Sequence, residues 1–224
     1  MPKVMEKDAT GRTVQLNGVR ITFGDSLKDA KPTKNEPDGK KYHSSNFLLE
    51  RSHPKFEQNK AIVIEAMKAV CREFKRPETW WKQLFDEDPK QNCFRKGERF
   101  KDKEGQVYKG YADALVIVAK GPKGGQSRPK KMLDRHKRAV EVNDINDVMY
   151  NGTYCDAVIA FYATDKGGTA RITCSIEAIR SYQEGERLGG GGIDVDADDF
   201  DDFEDDDDAF AGAGGTASND LDDL

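Results

Sequence analysis

TYCDAVIAFYATDKGGTARITCSIEAIRSY, residues 153–182, is the stretch that decides the fold. Its first run sets Cys155, Ala157, Ile159 and Phe161 against Tyr154, Asp156, Val158, Ala160 and Tyr162. Its second sets Ile172, Cys174, Ile176 and Ala178 against Arg171, Thr173, Ser175 and Glu177. Alternation at period two is the mark of strands with one buried face. The intervening Asp165-Lys166-Gly167-Gly168 has the residues of a tight hairpin turn, so the two runs pair.

Upstream, Tyr111–Ala119 (YADALVIVA) is the most apolar segment of the chain and reads as another strand. Arg128–Leu133 (RPKKML) is short and basic, and its proline suits a sheet edge. His43–Glu50 and Val14–Phe23 complete the set, the latter with Val19, Ile21 and Phe23 expected on one face. Gly24–Lys41 reads as a basic loop. Val63, Ala66, Met67, Val70 and Phe74 recur at helical spacing, which predicts a helix capped near Ser52 or His53 with Pro54 in its first turn. Pro77–Phe85 predicts a second, short helix bearing Trp80 and Trp81. About five strands, with a helical insertion near 54–86 after the second, suit a small closed barrel better than a βαβ sheet. The organisation expected is a flexible stretch at 1–11, a body at 12–188, and a glycine hinge with an acidic tail at 189–224.

Charge divides the chain in two. Residues 194–224 hold 14 acidic residues and no Lys or Arg, leaving 36 basic against 27 acidic residues in 1–193. The sequence pI of 5.4 thus averages a basic body and an acidic tail. The tail is too charged and too poor in large apolar residues to fold alone, and is expected to be disordered. Residues 1–11 lack the apolar core of a signal peptide, and no run approaches the ~20 residues of a membrane span. Cys71, Cys93, Cys155 and Cys174 are scattered and read as free thiols.

Three features carry binding chemistry. Phe94–Tyr111 (FRKGERFKDKEGQVYKGY) interleaves Phe94, Phe100, Tyr108 and Tyr111 with Arg95, Lys96, Arg99, Lys101, Lys103 and Lys109. Rings beside cations are what a protein needs to hold unpaired bases without reading sequence. Tyr154 and Tyr162 share the outward face of the first hairpin strand, flanked by Lys166 and Arg171, and Lys130 and Lys131 add charge at the edge. In the tail, Phe200, Phe203, Phe210 and the terminal Leu224 are set among acidic residues, which suits docking on basic partner surfaces.

Signals for catalysis and metals are weak. His43, His53 and His136 lie in separate segments. The Asp194-Asp196-Asp198 spacing lacks the glycine and closing glutamate of a calcium loop. Glu73-Phe74-Lys75 falls at a helix end, and residues 121–125 lack the spacing of a phosphate loop. No cofactor is expected.

Met149-Tyr150-Asn151-Gly152 before the hairpin, Phe161-Tyr162-Ala163 within it, Glu184-Gly185-Glu186-Arg187-Leu188-Gly189-Gly190 after it, and the Arg128–Leu133 segment together resemble a family of bacteriophage single-stranded DNA-binding proteins. The resemblance spans about 12–192 and is most specific over 105–192. It implies an OB-fold with a helical insertion, similar in plan to the podoviral replisome single-strand binder. It further implies a protein that coats single strands in phage DNA replication, recombination or repair, in the cytoplasm of the infected bacterium. Relatives of this plan often end their tail on an aromatic residue, whereas this chain ends on Leu224.

Together these readings predict a non-enzymatic binder. Tyr111, Tyr154 and Tyr162, with Phe94 or Phe100, would stack bases. Lys109, Arg95, Lys96, Lys101, Lys130, Lys131, Lys166 and Arg171 would meet phosphates. Phe200, Phe203, Phe210 and Leu224 would recruit phage or host replication proteins. An acidic-tail adaptor of chaperone type, a metal-dependent phage nuclease, and an RNA-binding variant of the same mode stand as alternatives.

Overall fold

The computed structural model describes residues 1–32, 38–165 and 168–188. These lie in the unit Met1–Gly190, and the second unit, Gly191–Leu224, is outside the described residues. Among the described residues eight strands form one sheet: β1 (Lys3–Val4), β2 (Thr13–Thr22), β3 (Ser44–Glu50), β4 (Phe94–Lys96), β5 (Ala114–Lys120), β6 (Lys131–Leu133), β7 (Tyr154–Thr164) and β8 (Arg171–Gln183). The expected five strands are β2, β3, β5, β7 and β8, with β6 at the edge where Pro129 had suggested it. The additional strands β1 and β4 are too short for alternation to reveal.

β2 pairs with β3 and β7, β3 with β5, and β7 with β8, all antiparallel. One parallel pairing, Lys120 with Ser175, joins β5 to β8, so the path of pairings returns on itself. The segment leading into β4 helps bridge that junction. Cys93 N–H donates to Ile172 O at 2.9 Å, and Val118 N–H donates to Cys93 O at 2.9 Å. β6 runs parallel to β8 on its outer side.

The core follows the alternation, with two shifts of phase. Cys155, Ala157, Ile159 and Phe161 of β7 are all buried, as are Ile172, Cys174 and Ile176 of β8. The pairing then slips where Ile176 faces Ile159 and Ala178 faces Val158, an extra residue on β8, and Ile179 takes the inward place alternation gave to Ala178. In β2 a similar irregularity between Leu16 and Val19 brings Val14, Leu16, Val19 and Ile21 to one buried face. Phe23 departs from that expectation: it lies past the strand end with φ 56° and is 42% exposed.

Two helices occupy the predicted insertion, α2 (Phe56–Glu73) and α3 (Trp80–Asp86), after a short α1 (Asp25–Lys28) inside the loop read as irregular. Val63, Ala66, Met67 and Val70 of α2 seal the core. The predicted side-chain cap is absent, since α2 starts at Phe56 after Lys55. Instead Lys55 N–H donates to His53 Nδ1 at 3.2 Å. Two further short turns are α4 (Pro122–Gly125) and α5 (Ile145–Val148).

The unbroken apolar run of β5 has a structural cause. Leu115, Ile117 and Ala119 face the main core, while Ala114 and Val116 enter a second cluster with Leu48, Tyr111 and Leu188, flanked by Phe100, Val107 and Tyr108. A strand covered on both sides loses its polar alternation.

Candidate nucleic-acid interface

Beside β4, on the side of the sheet carrying the second cluster, lies a cleft of about 480 Å³. Lys90, Arg95, Arg99, Lys101 and Phe100 line it, with Glu98 as its one carboxylate. β4 places Arg95 there because Phe94 points into the core, so its neighbour must face outward. The Arg95 guanidinium donates to Asn92 O at 2.6 Å and Lys90 O at 3.3 Å, and among the described residues no carboxylate pairs with it. Burial pushes its pKa down, as expected for a cation removed from water without a counter-ion. Arg99 is steadied by Asp86 O at 3.1 Å. A half-buried guanidinium held by carbonyls, with three further cations and a ring around it, can take a phosphate and an adjoining base.

From the cleft a run of rings leads away. Phe100 lies 5.1 Å from Tyr111, Tyr111 lies 5.8 Å from Tyr108, and Tyr108 meets Phe23 edge-on at 6.1 Å. Along β5, Arg95 is opposite Val116, and two outward positions on stands Lys120. Its ammonium lies 3.7 Å above the Tyr42 ring. Burial first, then the charges of Arg171 and Lys40, lower its pKa.

The structure thus gathers Arg95, Lys101 and Phe100, and adds Lys90 and Arg99, which the sequence reading had not chosen as contacts. Lys90 carries no local signal, because only the fold brings it to β4. Two expected stacking residues are corrected. Tyr111 is 2% exposed, and its hydroxyl is tied to Thr22 Oγ1 at 2.6 Å and Asn46 Nδ2 at 2.9 Å. Phe94 is likewise 2% exposed, 5.3 Å from the Phe85 ring. Neither ring face is open to a base.

The others are dispersed. Tyr154 is half-buried: its hydroxyl donates to Glu50 Oε2 at 2.7 Å and its ring stacks on His53. Tyr162 is half-buried, with burial raising its pKa. Lys96 lies 5.6 Å above the Phe85 ring, and Lys109 pairs with Glu186 at 2.6 Å. Lys130 and Lys131 are exposed beside and on the edge strand β6, whereas Arg171, exposed at the start of β8, is near enough to Lys120 for its charge to act there. Lys166, Phe200, Phe203, Phe210 and Leu224 lie outside the described residues.

Two of the motifs that carried the resemblance, the segments before and after the hairpin, prove to be partners of one another. Tyr150 Oη contacts Gly185 O at 3.0 Å and Gly185 N at 3.1 Å, and the Arg187 guanidinium covers the Tyr150 ring. Leu188 N–H donates to Asn151 O at 2.8 Å. Gly152 has φ 113°, and a Cβ there would overlap the Glu186 carbonyl oxygen, so only glycine fits. Arg20, itself paired with Glu50 at 2.9 Å, donates to both Gly152 O and Glu186 O. This strap holds Leu188 against Tyr111 and Gly110. Among the described residues, no cluster of His, Cys, Asp and Glu is placed to hold a metal ion, and no helix is long and apolar enough to cross a membrane.

Comparison with known proteins gives the same direction. The family described as Enterobacter phage Enc34, ssDNA-binding protein, matches residues 12–210. The chain is similar to the solved single-stranded DNA-binding protein from bacteriophage Enc34 in complex with ssDNA, at 17% identity and TM-score 0.61, over 80% of this chain and 90% of that one. It matches a second structure of the single-stranded DNA-binding protein from bacteriophage Enc34 at 18% identity and TM-score 0.59, over 82% of this chain and 87% of that one. The single-stranded DNA binding protein gp2.5 of bacteriophage T7 aligns at 12% identity and TM-score 0.42, over 92% and 98%. No curated protein sequence matches the chain. A family match over most of the body and into the tail, on a fold shared with that phage protein, shows that this chain belongs to the Enterobacter phage Enc34 ssDNA-binding protein family.

Proposed function

We propose that this chain binds single-stranded DNA without reading its sequence, and that the cleft beside β4 is the centre of its interface. The observation that carries the reading is Arg95, a half-buried cation with carbonyl partners and no counter-ion among the described residues, set among Lys90, Arg99, Lys101 and Phe100. Family membership supports it, as does the name of the Enc34 protein solved with ssDNA. Phosphates displace counter-ions at the cations, so affinity falls with salt. The ring run and the Lys120–Tyr42 pair offer the strand two ways to continue. Lys109, Lys96, Lys130, Lys131, Lys166, Arg171, Tyr154 and Tyr162 serve as outlying contacts in this reading.

The returning path of pairings through β2, β3, β5, β8 and β7 is read as an OB-type barrel within a body at 12–188. The chain acts as a binder rather than an enzyme, in phage DNA replication, recombination or repair in the host cytoplasm. Its acidic tail modulates binding and recruits replication proteins through Phe200, Phe203, Phe210 or Leu224. The test is a titration of matched single-stranded DNA, duplex DNA and single-stranded RNA, read by anisotropy of a labelled strand, with magnesium or manganese in parallel samples. Tighter binding of the intact single DNA strand is expected. Equal affinity for duplex, or cleavage of the strand, would overturn the reading.

A further inference from the structure

Four non-glycine residues among those described have positive φ: Phe23, Lys75, Lys123 and Lys137. Lys75 follows the end of α2, where Arg76 N–H returns to Cys71 O in a common helix termination. Lys123 and Lys137 lie in exposed polar turns. Phe23 is different, because a bulky aromatic in the left-handed region is a true outlier. Its backbone is clamped from both sides. Ser45 Oγ donates to Thr22 O at 2.8 Å, Gly24 N–H donates to Asn151 Oδ1 at 2.8 Å, and Ser26 N–H donates to Phe23 O at 3.1 Å. Gly24 lies so close to the Met149 carbonyl that a Cβ would not fit, and Leu27 just beyond is fully buried.

This clamping holds a ring outward that the hydrophobic effect would draw inward. Phe23 stays 42% exposed at the edge of a cavity of about 190 Å³, shared with Tyr108, Lys109, Asn151 and Leu188. Strained backbone and exposed apolar surface are two separate costs retained at one residue. The cavity also ends the ring run that begins at Phe100 in the cleft.

We propose that Phe23 is a base-stacking residue: a nucleobase of the bound single strand rests on its exposed ring, and Lys109 meets the neighbouring phosphate in exchange for Glu186. The inference rests on the single-strand reading of the interface and names a subsite within it.

The experiment compares an oligothymidylate with an abasic strand of equal length, on the full chain and on Phe23→Gly. Glycine accepts the left-handed backbone without strain, so the variant should melt at the wild-type temperature or above. It should bind oligothymidylate about 5- to 150-fold more weakly, the usual range for one lost stack, and the abasic strand unchanged. Phe23→Tyr should restore oligothymidylate binding. Phe23→Leu keeps the apolar bulk without the flat π-face, and gives the same reading if the glycine variant melts early. Wild-type affinity for oligothymidylate in both variants, or an equal loss on both strands, would overturn the proposal. An Arg95→Gln chain run beside them separates the two levels. If it weakens both strands while Phe23→Gly changes neither, the subsite fails and the interface stands; if wild type itself shows no preference for single strands, the interface reading fails.

Discussion

Replacing Arg95 with glutamine tests the interface at its centre. The side chain keeps some length and hydrogen-bonding capacity but loses its charge and its fork. A charge-assisted hydrogen bond contributes about 1.5–3 kcal/mol, so affinity for a single strand should fall about 10- to 150-fold at low salt. Salt dependence supplies the sharper number. Each phosphate neutralised on a single strand adds about 0.7 to the slope of log K against log salt. Removing one contact should flatten the slope by that amount, so the deficit narrows about fivefold for each tenfold rise in salt. Anisotropy titrations of a labelled oligothymidylate across a salt series measure both quantities. Arg95→Lys is the control, because lysine keeps the point charge and loses only the fork. It should keep the wild-type slope while losing part of the affinity. Since Arg95 also donates to Asn92 O and Lys90 O, melting temperatures must accompany the titrations. A glutamine variant whose line runs parallel to wild type would refute the assignment of Arg95 to a phosphate.

Tyr111→Phe removes the hydroxyl that joins Thr22 and Asn46. It should cost about 1–3 kcal/mol, or about 2–12 °C in Tm, with single-strand affinity unchanged; a stable variant with weakened binding would return Tyr111 to the interface. Burial also raises the Tyr111 pKa, so its contribution is intact below the unfolded tyrosine value of about 10 and is lost as pH rises past it. Alkaline melting curves should therefore show a smaller loss in Tyr111→Phe than in wild type. Gly152→Ala forces a side chain into the left-handed region against Glu186 O, at a cost of at least about 1–3 kcal/mol. It should speed tryptic cleavage after Arg187, and an unchanged digest would remove the strap from the account. Deleting residues 194–224 should strengthen single-strand binding at low salt, because a tethered polyanion competes at millimolar effective concentration; unchanged or weaker binding would argue against competition.

Phe23 and Tyr111 show where sequence reading stops. Alternation placed Phe23 inward with Val19 and Ile21, and the basic surroundings of Tyr111 suggested an outward ring. The structure exchanges them. β2 ends at Thr22, and the left-handed turn of Phe23 depends on Asn151 and Met149, more than a hundred residues away. Tyr111 is enclosed because Leu48 of β3 and Leu188, beyond the end of β8, cover it from distant parts of the chain. The hairpin of β7 and β8 was legible because strand period two is a local property, and even there Ile179 shows how one extra residue reverses a face. The cleft was legible only as a concentration of rings and cations. Which of them meet depends on β4, whose three residues carry no periodic signal.

The strap shows the opposite case, in which a local motif encodes a distant contact. Tyr150-Asn151-Gly152 and Gly185–Leu188 lie at the two ends of the β7–β8 hairpin, so antiparallel pairing must return them to the same place. Each then needs small residues where backbones approach, at Gly152 and Gly185, and Arg20 supplies donors to both. Neither segment has a reason to keep its glycine alone. The same closure sets Leu188 beside Tyr111 and the Phe23 cavity. The segment that carried the family resemblance is therefore also the one that builds a wall of the proposed base subsite. A change at Gly152 should reach single-strand binding through Leu188 and Phe23, while leaving the Arg95 salt slope as it was.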